Sequence, residues 1–164
     1  MTIHDFDMAR FLLGEVVEVQ ATGANQISEE IAEVGDIDSA VIVLRGADGA
    51  LCSITNSRRC AFGYDQRLEA FGELGMLTAE NLRPTAVRFA GRVATEVADP
   101  YPHFYLDRYI PSYRAELDHF ISAVETGRQP EPGFADGRAA LALADAASES
   151  LLSGRVVRLE ASWA

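Results

Sequence analysis

Residues 39–57, SAVIVLRGADGALCSITNS, read as a β-hairpin, and the rest of the fold is read outward from it. Ser39 to Arg45 is β-branched and apolar, Ala47-Asp48-Gly49 supplies turn chemistry, and Ala50 to Ser57 returns. On the return strand Cys52 and Ile54 share one face, while Leu51, Ser53, Thr55 and Ser57 share the other. A face that is mostly small and polar stays outside the main core. Solvent covers it in one reading, and a sheet-on-sheet subunit interface covers it in the other.

Before the hairpin, Glu15 to Thr22 (EVVEVQAT) alternates and reads as a strand, and Gly23 to Gly35 reads as an acidic loop or short irregular excursion. After it, Gln66 to Gly72 is a strand, Glu73-Leu74-Gly75 a turn and Met76 to Asn81 a strand pairing back. Ala86 to Val97 holds one or two weaker strands. Asp99 to Tyr109 is aromatic and proline-broken and reads as a loop over a core edge. Ile110, Tyr113, Leu117, Phe120, Ile121 and Val124 form a helical stripe ended by Gly127 and the Pro130/Pro132 linker. Ala135 to Leu152 is a second, alanine-rich helix, and Arg155 to Glu160 (RVVRLE) a last strand. Meandering strands followed by helices imply one α+β domain over residues 1–164: a mainly antiparallel open sheet with helices packed on one face.

The chain opens with a helix, Thr2 to Gly14, that carries the candidate chemistry. At about 3.6 residues per turn, His4, Asp7, Met8 and Phe11 fall on one face. An imidazole and a carboxylate one turn apart place a proton acceptor beside a polar ligand. The same residues also suit an ordinary helix start, with Thr2 as N-cap, Asp5 at N3 and Gly14 as a left-handed C-terminal cap. His103 and His119 read as structural histidines.

Composition narrows the function classes. The 164 residues are 48% hydrophobic and 24% charged, which describes a globular chain with a real core. A net charge of −11 argues against nucleic acid or an anionic membrane as partner. No run approaches the roughly 18 apolar residues of a membrane span, and the acidic N-terminus does not read as a signal peptide. Cys52 and Cys60 are too few and too far apart for a zinc motif, and no metal site is expected. Reduced thiols in a cytoplasmic protein are the default for such a pair, with a disulfide left open. No G-x-G-x-x-G follows a strand, and Gly23 and Gly35 are too isolated to cradle a pyrophosphate, so the chain by itself is expected to hold no nicotinamide cofactor.

Three segments carry a family resemblance: IHDFDMARFLLGE at 3–15, FGYDQRLEAFGELGML at 62–77, and the tail from Asp107 to Glu160. In order and spacing they resemble the second half of the inositol 2-dehydrogenase branch of the Gfo/Idh/MocA oxidoreductases. The resemblance implies a C-terminal substrate-binding and oligomerisation domain, with residues 1–14 as the helix leading from a Rossmann half. It implies NAD as the oxidant of a secondary alcohol of inositol or a related polyol, and a homo-oligomer formed through the open sheet face. Such enzymes use a lysine from the Rossmann half and a D-x-x-x-H pair. His4 matches the histidine, and the aspartate would fall one residue before Met1. His4 is then the expected general base, Asp7 a partner of a substrate hydroxyl, and Tyr64 in GYDQR a contact from the sheet side, with Met1 and Thr2 lining the same helix. Tyr64 also suits a half-buried tyrosine at a strand end. The alternative function is a stand-alone, non-catalytic α+β protein that self-assembles or binds a polyol. On either reading the isolated chain is expected to be inactive.

Overall fold

The structure, a computed structural model, describes residues 2–159. In chain order the elements are α1 (Ile3–Leu13), β1 (Val16–Ala24), α2 (Glu29–Glu33), β2 (Ser39–Gly46), β3 (Leu51–Ser57), β4 (Leu68–Gly72), β5 (Gly75–Ala79), β6 (Arg88–Phe89), β7 (Val97–Ala98), α3 (Tyr105–Thr126), α4 (Phe134–Ser153) and β8 (Val157–Arg158). They fall into two compact units, one made of the segments before Cys60 and after Pro130, the other of Cys60–Pro130.

The first unit is a four-stranded antiparallel sheet, in the order β3-β2-β1-β8, covered on one face by α1 and α4. The hairpin pairs Leu44 with Cys52 and Ile42 with Ile54, and β1 sets Val19 and Ala21 beside the same two β2 residues. These side chains form the inner face, and Val19 and Leu44 have no exposed surface at all. The helix above them is lined by Ala139, Ala140, Leu143, Ala146 and Ala147, whose short side chains let α4 approach the sheet closely. Phe6 and Ala9 of α1 complete the core. Burying a side chain such as Phe6 or Leu44 contributes roughly 1.5–3 kcal/mol.

Two buried polar groups finish this layer. The short strand β8 leaves part of the β1 edge unpaired, and Ser150 Oγ accepts the Ala21 N–H there at 2.9 Å while donating to the Arg155 carbonyl at 2.6 Å. Asp38 is fully buried just before β2, and its carboxylate accepts the backbone N–H groups of Gln26, Ile27 and Ser28 and the hydroxyl of Ser39. This one side chain orders the entry to α2, a turn-and-a-half of helix inside the stretch expected to be loop. The three backbone donors lie ten to twelve residues from the acceptor.

Other boundaries moved for identifiable reasons. Gly14 closes α1 with φ 73° as expected, although its ψ of −134° is not that of a left-handed helical turn. The strands between Cys60 and Pro130 do not extend the main sheet; β4–β5 and β6–β7 are separate two-stranded ribbons in the second unit. The aromatic stretch 99–109 becomes helical from Tyr105, because extended Phe104 serves as N-cap and Asp107 sits in the first turn against the positive helix end. The apolar stripe of α3 is real but open: Leu117 is 59% exposed and Val124 67%, and only Ala123 is buried. The last strand forms over Val157–Arg158, while Glu160, expected at its end, lies outside the described residues.

Asp38 makes the first unit acid-sensitive. Burial alone would raise its pKa, but the backbone donors of Gln26 and Ile27, the Ser39 hydroxyl and the Ser28 N–H outweigh that and hold it at about 2. A carboxylate depressed in the folded state stabilises above its unfolded pKa of about 3.9, and that contribution is lost as pH falls toward the folded value. Thermal melts should therefore show Asp38→Asn less stable than the parent at pH 7, with the gap narrowing between about pH 4 and 2. A gap constant across that range would show that the carboxylate charge is not what holds the loop.

Candidate functional site

Helix α1 fixes the first set of candidate residues through its buried face. Phe6 and Ala9 are locked into the core, which turns the opposite side of the helix outward. His4 is exposed and Asp7 half-exposed, one turn apart as expected. The expectation that Met8 and Phe11 back this pair with apolar packing is corrected: they are 46% and 84% exposed, because the core-facing stripe runs through Phe6 and Ala9 instead. Thr2 occupies the N-cap position but its hydroxyl makes no cap; its carbonyl accepts the Asp5 and Phe6 N–H groups at 3.0 and 3.1 Å. Met1 lies outside the described residues.

The neighbouring acids do structural work. Asp5 Oδ2 accepts from Asn56 Nδ2 at 3.1 Å, tying α1 to β3. Burial, reinforced by the Asp5 charge, pushes the Cys52 thiol above its ordinary value, so it is a poor nucleophile. Arg10 reaches Asp136 at 3.5 Å. Asp136 is held below the usual carboxylate range, chiefly by the Gly133 N–H and then by Arg10. By contrast, among the described residues neither the His4 nor the Asp7 side chain is engaged in a hydrogen bond or ion pair, so both are free to meet a ligand. Beside the helix start lies a cleft of about 240 Å³, walled by Phe6, Ile37, Ile42 and Leu151, with Thr2 at its rim and the Arg58–Asp36 ion pair among its lining.

Tyr64 belongs to the second unit and is half-buried. Gly63 before it has φ 122°, and a Cβ there would sit 2.9 Å from Tyr101 Cβ and 3.0 Å from the Pro102 carbonyl. The Tyr64 N–H donates to that carbonyl at 2.7 Å. The ring of Tyr64 meets Tyr109 edge-on, with centroids 5.8 Å apart. Tyr109 in turn donates to Gln66 Oε1. Burial, with the Tyr64 contact, raises Tyr109 to about 12, so it remains a protonated donor. Gln66 is anchored through its N–H to Asn81 Oδ1 at 2.8 Å, and Asn81 and Arg67 both bind Asp65. Tyr109 and Gln66 are the residues that sequence reasoning missed. Gln66 stands two positions from Tyr64 in the quoted motif, but nothing local joins either to a tyrosine 43 residues beyond Gln66.

No group of three or more His, Cys, Asp or Glu among the described residues could hold a metal ion, and both cysteines are free thiols. Among the described residues, the glycines at the helix ends are already engaged in capping. Gly14, Gly127 and Gly154 close helices, and Gly133, which opens α4, already gives its N–H to Asp136, whose carboxylate would repel a phosphate.

The fold and the matched sequence define the class. Residues 1–78 match the GFO/IDH/MocA C-terminal domain, and the chain belongs to the Gfo/Idh/MocA family. The proteins it resembles include inositol dehydrogenases. Over 161 residues it is 48% identical to a myo-inositol 2-dehydrogenase of Thermotoga maritima, covering 98% of this chain and 48% of that protein. It superposes with a TM-score of 0.94 on a myo-inositol dehydrogenase from Corynebacterium glutamicum, at 52% identity, over 99% of this chain and 49% of the other. A myo-inositol dehydrogenase from Lactobacillus casei, solved in complex with NAD(H) and myo-inositol, superposes at 0.82 with 25% identity, over 98% of this chain and 47% of that one. The chain thus spans about half the length of the relatives it matches, as the C-terminal half.

The strained glycine gives a test of the tyrosine's setting. Gly63→Ala should lower stability by more than about 1 kcal/mol in urea titration, since it adds a positive-φ penalty to a backbone clash. A substitution that is neutral would mean that the chain before Tyr64 relaxes freely.

Proposed function

We propose that this chain is the substrate-binding and oligomerisation part of an NAD-dependent oxidoreductase that acts on a secondary alcohol of inositol or a related polyol. The observation that carries the reading is the pair on α1: the core grips Phe6 and Ala9, and so presents His4 and Asp7 outward with no partner among the described residues. The D-x-x-x-H resemblance and the names of the relatives give that pair its chemistry. His4 accepts the proton of the reacting hydroxyl. Asp7, one turn on, accepts a hydrogen bond from a neighbouring hydroxyl, and a charged acceptor makes that bond stronger than a neutral one would. Tyr64 contacts the polyol through its hydroxyl. NAD, the oxidant, would have to be held by residues outside this span, since the glycines here offer no place for its pyrophosphate.

We place the protein in the cytoplasm, in keeping with its two free thiols. Among the described residues no helix is long and apolar enough to cross a membrane. We assign the outer sheet face to contact with a second copy. That face carries Val41, Val43, Leu51, Ser53, Thr55 and Ser57, all exposed, beside a charge ladder in which Glu18 pairs with Arg45 and Arg158 at 3.1 and 3.2 Å. A sheet with helices on one side only leaves such a face for a partner.

Two experiments test the reading. The 164-residue polypeptide should show neither micromolar NAD binding by calorimetry nor turnover of myo-inositol. Joined to a cofactor-binding half, it should turn over, and His4→Ala should then lower kcat/KM by about two to four orders of magnitude. Activity that survives that substitution would remove His4 from the chemistry. For the interface, Thr55→Arg should shift sedimentation toward smaller species, because a charge buried there loses its hydration without gaining a partner. An unchanged profile would clear the sheet face of that role.

A further inference from the structure

We propose that Asn56 is a positioning residue for the site on α1: its hydrogen bond to Asp5 fixes the rotation of the helix about its own axis, and so the aim of His4 and Asp7. The inference rests on the reading of His4 as the proton acceptor and adds to it the residue that holds that acceptor in line.

Apolar packing chooses the side of α1 that faces the core, but burial is non-directional and tolerates a small roll. At about 100° per residue, Asp5 and Arg10 flank the Phe6–Ala9 stripe at about 70° on either side, and His4 stands nearly opposite it. Asp5 Oδ2 accepts from Asn56 Nδ2 of β3 at 3.1 Å, and Arg10 Nη1 reaches Asp136 Oδ1 of α4 at 3.5 Å. The helix is thus tied on both flanks, to the sheet on one and to the neighbouring helix on the other. The Asn56 tie is the stiffer of the two. It is shorter, it joins two half-buried residues, and it draws an amide donor onto a carboxylate. The Asp136 side chain is 43% exposed, where solvent weakens an ion pair.

The lever is long enough to matter. Side chains end about 5–6 Å from a helix axis, so a roll of about 10° displaces the His4 ring by about 1 Å. A shift of that size is enough to cost about two orders of magnitude in rate. Stability alone does not account for an amide at this place. A carboxylate can only accept, so Nδ2 must face Asp5, and Oδ1 is left buried with no hydrogen-bond partner among the described residues. Asn56 shares the inner face of β3 with Cys52 and Ile54 and pairs with Ala40, a setting in which leucine would orphan no acceptor.

The test uses the protein carrying its cofactor-binding half. Its kcat for myo-inositol is expressed per folded molecule, with the folded fraction read by circular dichroism well below the melting transition. Asn56→Leu and Asp5→Ala should each lower kcat about 10- to 100-fold. The double variant should fall no further than either single one, because both changes remove the same bond. Asp5→Asn keeps an acceptor for Nδ2 and should lose less than about threefold, with the pH profile of kcat/KM unmoved. A role confined to stability would leave kcat per folded molecule at the parental value in every variant, and would overturn the proposal. So would an Asp5→Asn loss as deep as that of Asp5→Ala with a shifted pH profile, since the charge of Asp5 would then be what acts. Should Asn56→Leu fail to fold, Asp5→Ala, a change at a half-exposed helix position, decides alone. His4→Ala separates the proposal from the reading beneath it. If that variant is silent, the reading of His4 fails and the proposal goes with it. If it is damaging while Asn56→Leu and Asp5→Ala are not, His4 stands and only the positioning role falls.

Discussion

One-sided burial of the β1–β2–β3 sheet is the constraint from which the rest of the first unit follows. Strict alternation along β2 sends Ala40, Ile42 and Leu44 inward and Val41, Val43 and Arg45 outward, so a helical layer fits on one face only. The alanine face of α4 brings that layer close, and α1 closes it with Phe6 and Ala9. The outward pose of His4 and Asp7 is thus a by-product of packing. The candidate groups on α1 are aimed by the core residues Phe6 and Ala9.

Polar groups then complete what the apolar core leaves open. Ser150 stands in for a missing strand partner at Ala21, and Asp38 gathers three backbone donors that would otherwise be left unsatisfied near the core. Both are fully buried. A buried group with all its bonds made fixes geometry more firmly than an exposed ion pair, and the Glu18 ladder on the outer face is worth less than about 1 kcal/mol per pair.

Local pattern made much of this legible. Alternation and the Ala-Asp-Gly turn located the hairpin within a residue, α4 came from its alanines and closing glycine, and the one-turn spacing of His4 and Asp7 survived intact. The misreadings came where side chains from distant segments decide. Met8 and Phe11 are as apolar as Phe6 and Ala9, and only the tertiary partner chooses between the two faces. The ordering of α2 depends on a carboxylate beyond its own C-terminus, and the setting of Tyr64 on a tyrosine of α3. The open stripe on α3 has the periodicity of a buried helix, and periodicity does not say whether the covering surface lies in the same chain.

The central claim is that α1 holds the proton acceptor of a polyol-oxidising site. A crystal structure of the protein with its cofactor-binding half, soaked with NAD and myo-inositol, tests it most directly. The account predicts a ring nitrogen of His4 about 2.6–3.2 Å from the hydroxyl on the carbon facing the nicotinamide, with Asp7 on an adjacent hydroxyl. A polyol seated with that hydroxyl on another group, and His4 turned to solvent, would contradict it.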